Sequence, residues 1–357
     1  MPTISKNQEY FITIAQQELH SFIMLGYIQD GNPKLFARIG KIYDVDAAAE
    51  GCNLVMGVKF FGGGLFARIA DEGITRDATS TAIAYQAYSI NFEQVKEFIG
   101  LISDLEREQM KNPCFNQSIR NIHKNDGMTE KEILNEEAIY SYVPRKEKGE
   151  HVTFKRKKLQ DCQFTSSLSN IEIREFAQTS QMIRSDITCR TTSLNIIETI
   201  LKVKTDISSH YLIAPKYKTT LVNGVPHAST FYILPPPPNV NQEHLTQQQI
   251  ALLQKLYKRL ELIPKLNSSS QQTRNKFEAL KAIYKDILGE NTLSATSLLH
   301  KILVHEQNRN QDLFIHRHTH FFRRLLPTST TTQKLFYDIK EQLNKEITIE
   351  RNITATQ

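Results

Sequence analysis

Tryptophan is absent from the 357 residues, and the four cysteines, Cys52, Cys114, Cys162 and Cys189, are far apart with no Cys-x-x-Cys pair. The first absence removes the commonest anchor at a membrane interface. The second excludes a dense disulfide scaffold at this size and points to reduced thiols. No apolar stretch is long enough to span a bilayer. The opening residues, Met1 to Glu9, lack the basic-then-apolar pattern of a secretory signal. Gly62-Gly63-Gly64 has no Lys-Ser/Thr after it, so it is not a phosphate loop. The net charge of +6 is mild and carries no arginine-aromatic motif; it permits contact with an acidic or anionic lipid surface but gives no case for nucleic acid. A soluble protein working inside a cell, without a cofactor, is expected.

What is present is a globular composition, 40% hydrophobic and 23% charged, in a chain too long for one ordinary core. Four consecutive prolines, Pro235 to Pro238, mark the clearest boundary, because such a run is extended and stiff and fits neither a helix nor a sheet interior. The pattern is mixed before it and helical after it. The expected organisation is an α+β domain over residues 1–234, a proline linker over 235–240, an all-α helical bundle over 241–346 and a flexible polar tail over 347–357.

In the first part, His20 to Ile28 reads as an apolar strand, and Asp30-Gly31-Asn32-Pro33 as the turn into a second strand. The pentapeptide Leu35-Phe36-Ala37-Arg38-Ile39 recurs at Leu65 to Ile69, too short an echo to establish a repeat. Asn91 is an N-cap for a helix whose apolar residues run from Phe92 through Leu105 at helical spacing. Further helices are expected at Asn170–Arg184 and from Cys189 to about Lys202. Short strands at Tyr211–Ala214 and Thr230–Leu234 would close the domain. In the second part, apolar residues at Ile250, Leu253, Leu256 and Leu260, at Phe277, Leu280, Ile283 and Ile287, and at Leu335, Ile339 and Leu343 mark amphipathic helices.

Cys189 sits in Asp186-Ile187-Thr188-Cys189-Arg190-Thr191-Thr192, a polar turn leading into a helix. Free backbone N–H groups and the helix dipole at such a position favour thiolate over thiol. A catalytic thiol needs an imidazole, and the imidazole needs a group that holds its tautomer. His20, at the start of its apolar strand, is the favoured base. His227, in Gly224-Val225-Pro226-His227, is the competitor. If residues 20 to 44 form a hairpin turning near Gly31, Asp44 falls opposite His20 and is the expected orienting carboxylate, with Asp46 left open. His316, His318 and His320 form a local cluster, but no HExxH or cysteine pair completes a zinc set, so no metal is expected. The basic run Lys155 to Lys158 reads as a solvated strand face.

Three stretches resemble the type IV-secreted effectors of Legionella-like intracellular bacteria. They are His20 to Lys41 with the helix from Tyr88 to Phe98, Thr188-Cys189-Arg190-Thr191-Thr192, and Asp312 to Arg323 with Thr331 to Leu343. The second is similar to the Asn-Cys-Arg helix start of circularly permuted NlpC/P60-like enzymes, with Thr188 where Asn is usual. The resemblance implies a permuted papain-like fold in which a histidine strand precedes a cysteine helix. It implies a cysteine-dependent peptidase, amidase or acyltransferase, with Cys189, His20 and Asp44 as the site. It further implies delivery into a host cell's cytosol by a non-Sec route and a host protein as substrate or partner. The alternative is a non-catalytic adaptor that binds a host protein or membrane-associated partner through its helices.

Overall fold

A computed structural model describes residues 1–43, 60–74, 80–111, 138–238, 242–314 and 330–355, with Gly127 and Thr129 besides. The chain divides into two compact units, Met1–Ala228 and Ser229–Gln357. The division falls ahead of the proline run rather than on it.

The first unit is α+β and is built on a long antiparallel sheet. Strands β1 (Thr3–Ser5), β2 (Tyr10–Gln17), β3 (His20–Gln29), β4 (Asn32–Tyr43), β5 (Leu65–Asp71) and β6 (Thr81–Ile90) come first. Helix α1 (Phe92–Gln109), strands β7 (Tyr140–Lys148) and β8 (His151–Lys158), helix α2 (Asn170–Ser180), strand β9 (Met182–Ile183), helix α3 (Cys189–Leu201) and strands β10 (Tyr217–Val222) and β11 (Val225–Pro226) follow. The main sheet runs β11-β10-β6-β2-β3-β4-β5-β9, and β1-β8-β7 form a smaller one.

Turn chemistry fixes the register. Asp30 and Gly31 both have positive φ, 50° and 75°, and close the β3–β4 hairpin as an Asp-Gly turn whose twist suits the flanking strands. Asn223 and Gly224, at 50° and 78°, do the same between β10 and β11. The central strands β2 and β3 are buried on both faces from Tyr10 to Gln16 and from Ser21 to Tyr27, which is why they read as unbroken apolar runs rather than alternating ones. Helix α1 opens on a capping box between Asn91 and Gln94 and buries Val95, Phe98, Ile99, Ile102 and Leu105. Each such side chain contributes about 1.5–3 kcal/mol on burial. Helix α3 lies on β2, β3 and β4 and against α1. The small sheet packs through Phe154, whose ring stacks on Phe36 of β4 at 4.4 Å.

The second unit holds helices α4 (Gln247–Leu262), α5 (Gln271–Leu288), α6 (Ala295–Phe314, bent at Arg309) and α7 (Thr331–Ala355). Neighbours in sequence pack together, and α7 returns to α4, where Arg259 Nε donates to Thr332 Oγ1 at 3.1 Å.

Several expectations need correction. Tyr211–Ala214 is a turn, not a strand. Helix α2 stops at Ser180, where β9 begins two residues on. The proline run is no free spacer: Pro235, Pro237 and Pro238 are buried and the Pro236 carbonyl accepts from Tyr284 of α5 at 2.8 Å. The stretch after residue 346 continues α7 as helix to Ala355. The His316–His320 cluster, Cys52 and Cys114 lie outside the described residues. Among the described residues, no helix is long and apolar enough to cross a membrane.

Candidate active site

Cys189 is the first residue of α3, and the local sequence sets it there. Thr188 is an extended N-cap whose hydroxyl accepts from Thr191 N, while Thr191 Oγ1 accepts from Thr188 N at 2.8 Å. This reciprocal cap fixes the first turn. The half-buried thiol then faces the β2–β3 hairpin: Ser21 N donates to Sγ at 3.3 Å, and Leu19 O is 3.8 Å away. Glu18, at φ 52°, makes that two-residue turn.

The structure brings His20 and Cys189 together. The imidazole opens β3, stacks on Phe22 at 5.9 Å and helps hold the Cys189 thiol below its ordinary value. Its Nε2 is bonded to Glu72 Oε1. The other Glu72 oxygen, Oε2, accepts from Arg38 Nε at 3.2 Å. Arg38 in turn lies over the Phe22 ring at 4.0 Å. The result is a chain from His20 through Glu72 to Arg38 beside the thiol, in which the Glu72 and Arg38 side chains are 1% and 2% exposed.

Glu72 is therefore the carboxylate on the imidazole. Asp44 and Asp46 lie outside the described residues. The β3–β4 pairing runs from Gln29 opposite Asn32 to Phe22 opposite Gly40. Glu72 arrives from the next strand instead. It follows β5, its N–H bonds to Arg38 O at 3.0 Å, and its side chain crosses over Gly40. Gly40 is where the close approach happens: a Cβ there would overlap Glu72 Oε1 and stand 2.6 Å from Glu72 Cδ and 3.1 Å from His20 Nε2.

His227 is elsewhere. It follows β11, which β10, β6 and β2 separate from β3 in the sheet, and its N–H bonds to Thr220 O at 2.9 Å. A cleft of about 400 Å³ lined by Tyr27, Phe36, Tyr142 and Arg156 sits at the far end of β3 and contains none of the site residues. Among the described residues, no group of three His, Cys, Asp or Glu side chains could hold a metal ion.

The electrostatics favour a charge-separated pair. Burial alone would push the Cys189 thiol up, but the imidazole, the Ser21 N–H, the charge on His20 and the Arg190 N–H together hold it below the ordinary value of 9. Burial pulls His20 down, yet the bonds to Cys189 and Glu72 and their charges raise it from 6.5 to about 9. Cys162 shows the contrast: burial pushes that thiol above its ordinary value.

Two buried cations complete the surroundings. Arg190 is fully buried, and its Nη2 donates at 2.6 Å to both Gln16 Oε1 and Ile213 O. Gln16 Nε2 donates to Glu18 O and Tyr211 O, so the hairpin and the 211–213 turn are tied together beside the thiol. Lys41, 3% exposed, donates at 3.1 Å to Thr192 Oγ1 and to Thr179 O. Sequence reasoning missed Glu72, Arg38 and Lys41. A signal was present, since Arg38 and Lys41 interrupt an apolar strand, and buried charges require partners. No known protein family, curated protein or solved structure matches this chain.

Proposed function

We propose that the first unit is a cysteine-dependent acyl-transfer enzyme with Cys189 as nucleophile, His20 as general acid and base, and Glu72 as the group that orients the imidazole. The single observation carrying this reading is the bonded chain His20–Glu72–Arg38 set against the Cys189 thiol at the start of a helix, with the two residues flanking His20, Leu19 and Ser21, in contact with the sulfur. The thiolate attacks the carbonyl carbon of an amide, ester or thioester, forming a C–S bond. The tetrahedral intermediate then collapses, the bond to the leaving group breaks, and protonated His20 gives that group its proton. Water or another acceptor, deprotonated by His20, releases the acyl group and regenerates the thiolate. The backbone N–H of Cys189 is a natural oxyanion donor.

The chain order His20, Glu72, Cys189 supports a permuted papain-like arrangement, because the base strand precedes the nucleophile helix. With the resemblance noted in the sequence, this supports a secreted bacterial effector. Such an enzyme would reach the host cytosol by a non-Sec route and act as a peptidase, amidase or acyltransferase on a host protein.

The test is acylation by p-nitrophenyl acetate, read as a burst of p-nitrophenolate and as acetyl on the Cys189 peptide by mass spectrometry. Wild type should show both, Cys189→Ala and His20→Ala neither, and His227→Ala both. An unchanged burst in Cys189→Ala and His20→Ala would leave the non-catalytic adaptor as the better reading. A burst lost only with His227→Ala would install the papain order instead.

A further inference from the structure

Lys41 is a buried amine on β4 that has no carboxylate partner among the described residues. Its partners are neutral, Thr192 Oγ1 one turn into α3 and Thr179 O at the end of α2. Desolvating a cation costs several kcal/mol unless charge or hydrogen bonds offset it. Burial works against the charge on Lys41, and the Cys189 sulfur, on the helix that Thr192 belongs to, favours the ammonium form. The other charges near the thiol are already engaged: His20 with Glu72, and Glu72 with Arg38. Arg190, from α3 itself, is anchored by Gln16 and Ile213 and feels the same sulfur.

We infer that Lys41 is a positioning residue whose ammonium, held by Thr192 and Thr179, keeps Cys189 in its thiolate form. This rests on the proposed nucleophilic role of Cys189. Lys41 is too buried to meet a substrate, so it acts only through the sulfur. Burial brings Lys41 down to about 7 while the thiolate pulls the other way, so the two groups respond to each other's charge. Thr192 gives the arrangement its geometry. It places the ammonium against the same helix that presents the thiol, one helical turn from it.

The experiment is the rate of Cys189 alkylation by iodoacetamide against pH, resolved by peptide mass, in the full-length chain. Lys41→Gln keeps a donor for Thr192 and Thr179 and removes the charge; Lys41→Met removes both; Lys41→Arg keeps the charge. The neutral variants should move the midpoint of the profile up by about one unit, which is about a tenfold slower reaction below the midpoint. Lys41→Arg should return the profile towards wild type. Should Lys41→Met fail to fold, Lys41→Gln carries the comparison alone. A Lys41→Gln profile superimposed on wild type overturns the inference, even if acylation by p-nitrophenyl acetate proves real. A shifted profile in a chain that shows no acylation sustains the electrostatic coupling and removes the enzyme reading instead.

Discussion

Gly40→Ala isolates the closest contact in the site. Alanine is intrinsically better than glycine inside a strand by about 0.5–1 kcal/mol. Here the added methyl would overlap Glu72 Oε1 and crowd Glu72 Cδ at 2.6 Å. The carboxylate cannot swing aside cheaply, because its two oxygens are bonded to His20 and Arg38 and its side chain is 1% exposed. Overpacking of this kind costs about 1–3 kcal/mol, so the clash outweighs the strand preference and a net loss of about 1–2 kcal/mol is expected by urea denaturation. The carboxylate would also leave the imidazole, and Cys189 alkylation at neutral pH should fall about tenfold, the equivalent of one unit in the thiol's titration. A double-mutant cycle assigns the cause. With Glu72→Ala in place the overlapping atoms are gone, and Gly40→Ala should become neutral or slightly stabilising, giving a coupling of about 1.5–3 kcal/mol. Equal cost in both backgrounds, or a Gly40→Ala protein as stable and as reactive as wild type, would refute the geometry drawn around Glu72.

Glu72→Gln should destabilise by about 1–3 kcal/mol, because it takes the charge from the carboxylate bonded to the buried Arg38 guanidinium; unchanged stability in urea denaturation would show that the pair contributes nothing. At pH 7 iodoacetamide should label Cys189 well ahead of Cys162, whose thiol is 8% exposed and raised, as time-resolved peptide mass spectrometry would reveal. Folding raises His20 from 6.5 to about 9, so its contribution to stability is complete below pH 6.5 and is lost as pH rises through about 9. His20→Ala should therefore narrow the stability gap to wild type as pH increases from 6.5 to 9.5. Removing residues after Lys345 should shift the Tm by no more than about 2 °C, since among the described side chains the last buried apolar residue of α7 is Leu343. If the chain is a type IV effector, the same truncation should stop a translocation reporter from entering host cells.

How much of this could be read in advance differs from element to element. The β3–β4 hairpin was legible because Asp-Gly has few alternatives between two apolar runs, and α1 because Asn91 and Gln94 sit at capping-box spacing. Thr188 and Cys189 were legible for a related reason, as a β-branched hydroxyl residue before a helical run caps it and leaves the next residue among unbonded N–H groups. Glu72 was not legible. A stretch of twenty-one residues separates β4 from β5, and only the pairing of those two strands brings the residue after Asp71 beside Arg38. The expectation of Asp44 rests on the β3–β4 hairpin alone, a segment that does not encode how the next strand returns. The repeated Leu-Phe-Ala-Arg-Ile was equally uninformative. Its two copies lie on adjacent antiparallel strands, yet Arg68 is paired with Ile42 and not with Arg38.

The charges around the sulfur argue for chemistry over scaffolding. With the pair ionised, Glu72 and Cys189 are negative while Arg38, His20 and Arg190 are positive, and Lys41, brought down to about 7, adds positive charge below that pH, so the cluster is positive on balance. Among the described residues, Arg190 Nε and Nη1 are buried with no hydrogen-bond partner. A domain serving only to hold a binding surface gains nothing from this, because well-packed apolar residues would replace such a cluster at equal or better stability. An acyl-transfer site gains on two counts. The excess positive charge lowers the cost of the thiolate before attack, and it favours the oxyanion that forms as the C–S bond is made. Replacing Lys41, Arg38 and Glu72 together by apolar residues should accordingly raise the unfolding midpoint in urea while slowing Cys189 alkylation. If alkylation were unaffected by that replacement, the cluster would owe nothing to the thiol and the argument for an enzyme would lose its electrostatic support.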